Sequence, residues 1–319
     1  MKYRKLRDFD VPVSELCFGT MRYADTDGTA NEKSAAGARA LETAIDRGVN
    51  FIHSSHEYGT RWLTGSVTKE HPRRTDLHHI IKVNNPDWGE PRFSRDSFRR
   101  QIENALRELS TERIAVVQHL QRGVTRKEIM TAFGDEHRLT QFDEVTTELA
   151  EITQQLRSEG KIAAVMSFPY TPAYARRVVE PDVYSGLVAY FNPLETEMYE
   201  FFPRLREQNK DFIAIRPLAG GILTDRRVDR AGLPADDRMR EAKMDEAYQQ
   251  LEAIKPTLTR GSLTWEQFAF RFSLADPIVK STVLGINTVD HLATAGAEVD
   301  VPSALVEKVW EINRHRDEL

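Results

Sequence analysis

The sequence predicts an α/β fold, a closed (β/α)8 TIM barrel. Three observations carry that prediction. Short β-rich runs alternate with longer stretches of helical period from Cys17 to the end of the chain. Each helical stretch is long enough to cross back over a sheet, and such crossovers make strands parallel. No glycine-rich dinucleotide fingerprint follows the first run, which counts against an open doubly wound sheet.

The strand candidates are 13–20, 50–55, 78–84, 113–120, 161–168, 184–191, 211–217 and 281–286. Leu41, Ala44, Ile45 and Gly48 read as one helix face with a glycine stop, and Phe98, Ile102, Ala105, Leu106 and Leu109 as a second. Val145, Leu149, Ile152 and Leu156 form a third, ended by Gly160. Thr264 with Gln267 reads as a capping box opening the helix before the last strand. Eight such units without a break in composition predict one barrel domain over 1–319. The irregular stretch 219–245, dense in charge and containing Gly220, Gly221, Gly232 and Pro234, reads as a loop insertion on the C-terminal face, either a lid or a solvated variable loop.

Composition narrows the function classes. The 319 residues carry 44 Lys and Arg against 49 Asp and Glu, a net charge of −5, which does not suggest a nucleic-acid binder. Cys17 is the single cysteine, so no intrachain disulfide forms, and neither an exported leader nor a membrane-spanning run is apparent. A cytoplasmic protein with a small-molecule substrate is the expectation; oligomeric state is not readable.

Barrel chemistry gathers where strand ends converge on one mouth. His53 to Tyr58, Lys82, Gln118 to Gln121 and Arg216 are the polar groups at such ends. An ammonium near a phenol lowers its pKa and makes it a usable proton donor. His53, His56, Glu57 and His119 also offer metal-like ligands, but barrel geometry turns only His53, and with it Glu57, toward the interior, so no metal site is expected. Arg216 with Arg226 and Arg227 suits an anion, or else Arg216 pairs with a neighbouring acid. Tyr23, Trp62, Trp88, Tyr170 and Phe191 suit an apolar cleft or ordinary packing.

The string GVNFIHSSHEYG (48–59) resembles the aldo-keto reductase segment G-[IV]-N-F-[IF]-D-T-A-x-x-Y-G, and IIKVN resembles that family's lysine strand. FGTM (18–21), GKIAAV (160–165), FNPL (191–194), IAIRPLAGGIL (213–223) and STVLGINTVDHL (281–292) fall in the family's order across nearly the whole chain. The resemblance implies a nicotinamide cofactor, NADP, delivering hydride at the mouth, with Tyr58 as proton donor and Lys82 as its pKa-lowering partner. It also implies departures. His53 stands where the family has an aspartate, so Lys82 loses a carboxylate partner. Leu120 stands at the family's histidine and His119 one residue early, which on a strand faces the other way unless a bulge restores it.

The cofactor-binding positions implied are Gly19, Thr20, Met21, Ser167, Arg216, Leu218, Gly220, Gly285, Asn287 and Thr288. Ser167 lacks the family's asparagine neighbour, Ile215 replaces the tyrosine that many members stack on the nicotinamide, and Thr294 and Ala295 replace the residues that hold the adenosine. Three readings follow: an NADPH-dependent carbonyl reductase; a cofactor-independent lyase, dehydratase or cyclase using Tyr58, His53 and Lys82; and a non-catalytic regulatory or binding module.

Overall fold

A computed structural model describes residues 1–9 and 11–317. Its first feature is a two-stranded antiparallel hairpin, β1 (Tyr3–Arg4) with β2 (Val13–Ser14). Leu6, Phe9 and Val13 of this hairpin pack with Cys17, Phe51 and Ile80 in one buried cluster, plugging the N-terminal end of the barrel.

The eight runs then form β3 (Leu16–Gly19), β4 (Phe51–Ser55), β5 (His78–Asn84), β6 (Ile114–Leu120), β7 (Ile162–Ser167), β8 (Gly186–Tyr190), β9 (Asp211–Ile215) and β10 (Val279–Gly285). All neighbours pair in parallel, and β10 closes on β3 with Val283 opposite Cys17. The structure thus has the barrel read from the alternation. The run 13–20 is not one strand. It bends at Glu15, whose buried carboxylate takes Arg4 Nε at 2.8 Å and Arg271 Nη1 at 3.1 Å.

Helices α1 (Glu32–Asp46), α2 (Arg61–Glu70), α3 (Arg95–Glu108), α4 (Ala132–Thr140), α5 (Phe142–Ser158), α6 (Pro172–Val178), α7 (Phe202–Glu207), α8 (Asp245–Ile254), α9 (Trp265–Ser273) and α10 (Ser303–Asp317) run outside the strands. The Thr264 capping box opens α9. Gly65 lets α2 approach α3: a Cβ there would lie 1.9 Å from the Glu108 carbonyl oxygen. Among the described residues, no helix is long and apolar enough to cross a membrane.

Strand parity divides the core in two. Leu16, Phe18, Ile52, Ile81, Val83, Val117, Val165, Phe212 and Leu284 join the helix faces around Leu41, Phe98, Ile102, Leu149 and Phe268. Cys17, Phe51, Ile80, Val116, Ala164, Met166, Val188, Ile213 and Val283 fill the barrel itself. Each large aliphatic buried this way contributes roughly 1.5–3 kcal/mol. Toward the C-terminal ends the inward positions change character, to His53, Lys82 and Gln118. That switch from apolar to polar is what makes the mouth a site.

The stretch 219–245 is neither free nor fully solvated. Val228, Leu233 and Met239 are buried against the core, and the buried Asp237 carboxylate takes Arg227 Nε at 3.2 Å and Arg226 Nη2 at 3.4 Å.

Candidate active site

Tyr58 is presented by a tight turn that the local sequence specifies. Ser55 caps the 3-10 turn His56–Tyr58, its Oγ accepting from the Glu57 amide at 3.3 Å. Gly59 ends the turn at φ 62, where a Cβ would also lie 2.8 Å from the Thr26 carbonyl oxygen. The turn sets the Tyr58 ring 5.1 Å, centroid to Nζ, from Lys82 and 6.0 Å from the His53 ring.

His53, fully enclosed, donates from Nε2 to Gln118 Oε1 at 3.0 Å. Burial, reinforced by the Lys82 charge, pushes its pKa down to about 3, so the imidazole is neutral. Burial also lowers the Lys82 pKa, against an opposing pull from Tyr190 and Glu57. Tyr58 goes the other way. Burial first, and the Glu57 charge second, push its phenol well up, so the ammonium facing its ring does not bring it toward neutrality as the pairing of types suggested. The phenol stays protonated, as a proton donor must be.

Of the rim beside this group, Trp88 and Tyr170 were read from the sequence as cleft candidates, and Arg122 and Asp87 were not. Arg122, just past β6, grips Glu57 with both terminal nitrogens, at 2.8 and 2.7 Å, and reaches Asp87 at 3.0 Å and the Tyr170 hydroxyl at 3.2 Å. Its guanidinium lies 4.0 Å from the centroid of the Trp88 ring, whose Nε1 donates to Glu57 at 3.3 Å. The pair holds the Glu57 carboxyl down at about 2. Phe168 packs edge-on against Tyr170 and Tyr190, at 4.8 and 5.4 Å, on the β7–β8 side. The remaining aromatics predicted for a cleft are packing: Tyr23 and Phe191 are fully buried, and Trp62 packs against the core with its Nε1 toward the Asp25 carbonyl.

His119 lies on the far side of the wall. No bulge restores it: β6 pairs with β5 in unbroken register through Lys82–Gln118 and Val83–His119, so Gln118 faces in and His119 out. Its ring stacks on Tyr184 and meets the edges of Phe93 and Phe98. It is therefore separated from Tyr58, Lys82 and His53, which corrects its inclusion among catalytic candidates. His56 is exposed and Glu57 is committed to Arg122, so the four acid and imidazole groups do not converge.

The positions implied for a dinucleotide divide. Ser167 shares the outward parity of His119 and is buried beside Tyr174 and Tyr184, so its hydroxyl does not face the mouth. Thr20 is buried too, its Oγ1 donating to the His53 carbonyl at 3.0 Å. Gly19 serves the wall, since a Cβ there would lie 2.9 Å from the Leu284 carbonyl oxygen. Met21, Arg216, Gly220, Gly285 and Thr288 are exposed, Leu218 and Asn287 partly so. Arg216 breaks strand parity: its φ of 62 swings the side chain over the Tyr190 ring, 5.1 Å away, where it pairs with Glu195 at 3.1 Å. The β9–β10 side thus offers an arginine, paired with Glu195, and exposed backbone bare of side chains at Gly220 and Gly285.

Solved structures share this architecture. The chain superposes on the aldo-keto reductase AKR11C1 from Bacillus halodurans in its holo form with a TM-score of 0.73, at 20% identity, covering 98% of this chain and 96% of that one. It superposes on the glycerol dehydrogenase AKR11B4 from Gluconobacter oxydans with a TM-score of 0.68, at 19% identity, covering 97% and 94%. In sequence it is 22% identical over 302 residues to the uncharacterized oxidoreductase YqkF of Bacillus subtilis (strain 168), covering 92% of this chain and 89% of that protein. The pattern of the Aldo/keto reductase family matches residues 15–309, and on that match the chain belongs to the aldo/keto reductase family, which supports its assignment as an oxidoreductase.

Proposed function

We propose that this protein reduces the carbonyl group of a small molecule with NADPH, Tyr58 supplying the proton. The observation that carries the reading is the protonated Tyr58 phenol held over Lys82 at a barrel mouth. Arg216, Gly220, Gly285, Asn287 and Thr288 are the groups we assign to the dinucleotide, which when bound supplies a hydride to the carbonyl carbon. Tyr58 gives its hydroxyl proton to the carbonyl oxygen as the C=O π bond is reduced to an alcohol. The Lys82 ammonium, facing the ring, favours the phenolate left behind. His53, neutral and tied to Gln118, adds no charge beside Tyr58, where the Arg122 charge also favours the phenolate. Phe168, Tyr170 and Tyr190, packed edge to face, supply an aromatic wall at the same mouth.

The test is a titration with NADPH, and separately NADH, following fluorescence of Trp88 at the rim, with Trp88→Phe as the control for signal origin and calorimetry as the check. Saturable micromolar binding supports the reading; no binding at millimolar concentration overturns it.

One observation favours a second reading. Ser167 is turned away and Phe168 is packed into the rim, so a cofactor-independent acid–base reaction by Tyr58, His53 and Lys82 fits the same mouth. Substrate conversion strictly dependent on added NADPH would exclude it.

A further inference from the structure

The arginines of the mouth each have a carboxylate, and its lysine has none. Arg122 is paired with Glu57 and Asp87, Arg216 with Glu195, and Arg138 with Asp135. Among the described residues, Lys82 makes no ion pair and no side-chain hydrogen bond; its ammonium faces the Tyr58 ring, with Tyr190 and Glu57 near enough to pull on its charge. The neighbours that could balance it do not. His53 is neutral, and Glu57 is held in both oxygens by Arg122.

A second unmet group lies beside it. Gln118 is directly opposite Lys82 in the β5–β6 register, is fully buried, and spends its Oε1 on His53. Its Nε2 has no partner. A buried amide donor left unpaired is costly, and an uncompensated ammonium in a partly desolvated mouth costs more. One ammonium and one amide donor on adjacent strands present two donors with no hydrogen-bonded acceptor. The complementary ligand is an anion with two oxygens, small enough to lie under Tyr58.

We propose, resting on the carbonyl-reductase reading, that the substrate carries a carboxylate next to its carbonyl, a 2-oxo acid, and that Lys82 and Gln118 Nε2 bind that carboxylate. The two oxygens satisfy the two unmet donors and leave the adjacent keto oxygen for Tyr58 to protonate. Lys82 then sets specificity as well as proton affinity. Neutral aldehydes and ketones leave both donors unpaired and are the poorer substrates.

The test uses the intact protein and oxamate, a 2-oxo acid mimic that resists reduction, against its neutral methyl ester, by calorimetry with and without NADP+. Oxamate binding at least tenfold tighter than the ester, lost in Lys82→Met and kept in Lys82→Arg, supports the proposal. Gln118→Leu, with folding checked by melting, should weaken oxamate severalfold while leaving the ester unchanged. Equal binding of acid and ester, undiminished oxamate binding in Lys82→Met, or no oxamate binding in either cofactor state overturns it. NADPH oxidation with neutral aldehydes and with 2-oxo acids is read separately. If neither class is reduced, the reductase reading fails while the titration still decides the carboxylate site; if neutral aldehydes are reduced and oxamate does not bind, only the carboxylate proposal fails.

Discussion

His119 donates from Nε2 to the carbonyl oxygen of Asn85 at 2.6 Å, and its Nδ1 accepts from the Tyr184 hydroxyl at 2.9 Å. Asn85 begins the loop that carries Asp87 and Trp88, both of which contact Arg122. The histidine thus fastens, from outside the barrel, the loop that shapes the rim inside it. A neutral ring with Nε2 protonated satisfies both partners, and burial pushes its pKa down to about 4.

His119→Phe keeps the aromatic packing and leaves the Asn85 carbonyl and the Tyr184 hydroxyl without this partner. Denaturant unfolding should show a loss of about 2–3 kcal/mol. Turnover should fall without a change in the shape of its pH profile, because His119 does not exchange a proton with substrate. A lost ionisation in that profile would contradict the placement.

The buried histidines set the acid limb of stability. His53 and His79 are pushed down to about 3 and His119 to about 4, from an ordinary value of 6.5. Between those values the unfolded chain binds protons that the folded one refuses, so stability falls as pH drops from 6.5 toward 4 and 3. Chemical denaturation from pH 7.5 to 4.5 should show this fall, and His119→Phe should make it shallower by the share of one of the three histidines. Stability unchanged over that range would contradict neutral burial.

Glu57 acts over a lower window. Its carboxyl, ordinarily at 4.5, lies at about 2 beside Arg122, so the pair stabilises the fold fully above 4.5 and is lost as pH falls through 2. Arg122→Gln should return the Glu57 titration, followed by carboxyl NMR, toward its ordinary value and cost on the order of 2 kcal/mol, the partial exposure of Glu57 limiting the loss.

Gly65→Ala places a methyl group against the Glu108 carbonyl and forces α2 and α3 apart. We expect a loss of about 1–3 kcal/mol or more in unfolding free energy.

Much of the barrel was legible in the sequence, because strand alternation and helix period are local properties of the chain. The split at Glu15 was not, since it depends on Arg4 and on Arg271, far along the chain. Lys82, His53 and Tyr58 were legible as neighbours because strand ends and one short turn bring them to the same mouth. Parity also forecast that Gln118 faces in. The Arg122 cluster escaped notice: Glu57, Asp87, Trp88 and Tyr170 come from separate loops whose convergence no local pattern encodes. Arg216 reaches the mouth through a left-handed backbone step that its own sequence does not announce. The pKa of Tyr58 was misjudged for a similar reason, since burial depends on the whole rim and outweighs one neighbouring ammonium.

The most direct test of the central claim is NADPH-dependent reduction of a carbonyl substrate by the wild type and by Tyr58→Phe. The phenylalanine ring preserves the contacts to Lys82 and His53 and removes the proton. A fall in kcat of about 10²–10⁴ with cofactor binding intact is the predicted result. A Tyr58→Phe enzyme that turns over at the wild-type rate would contradict the account.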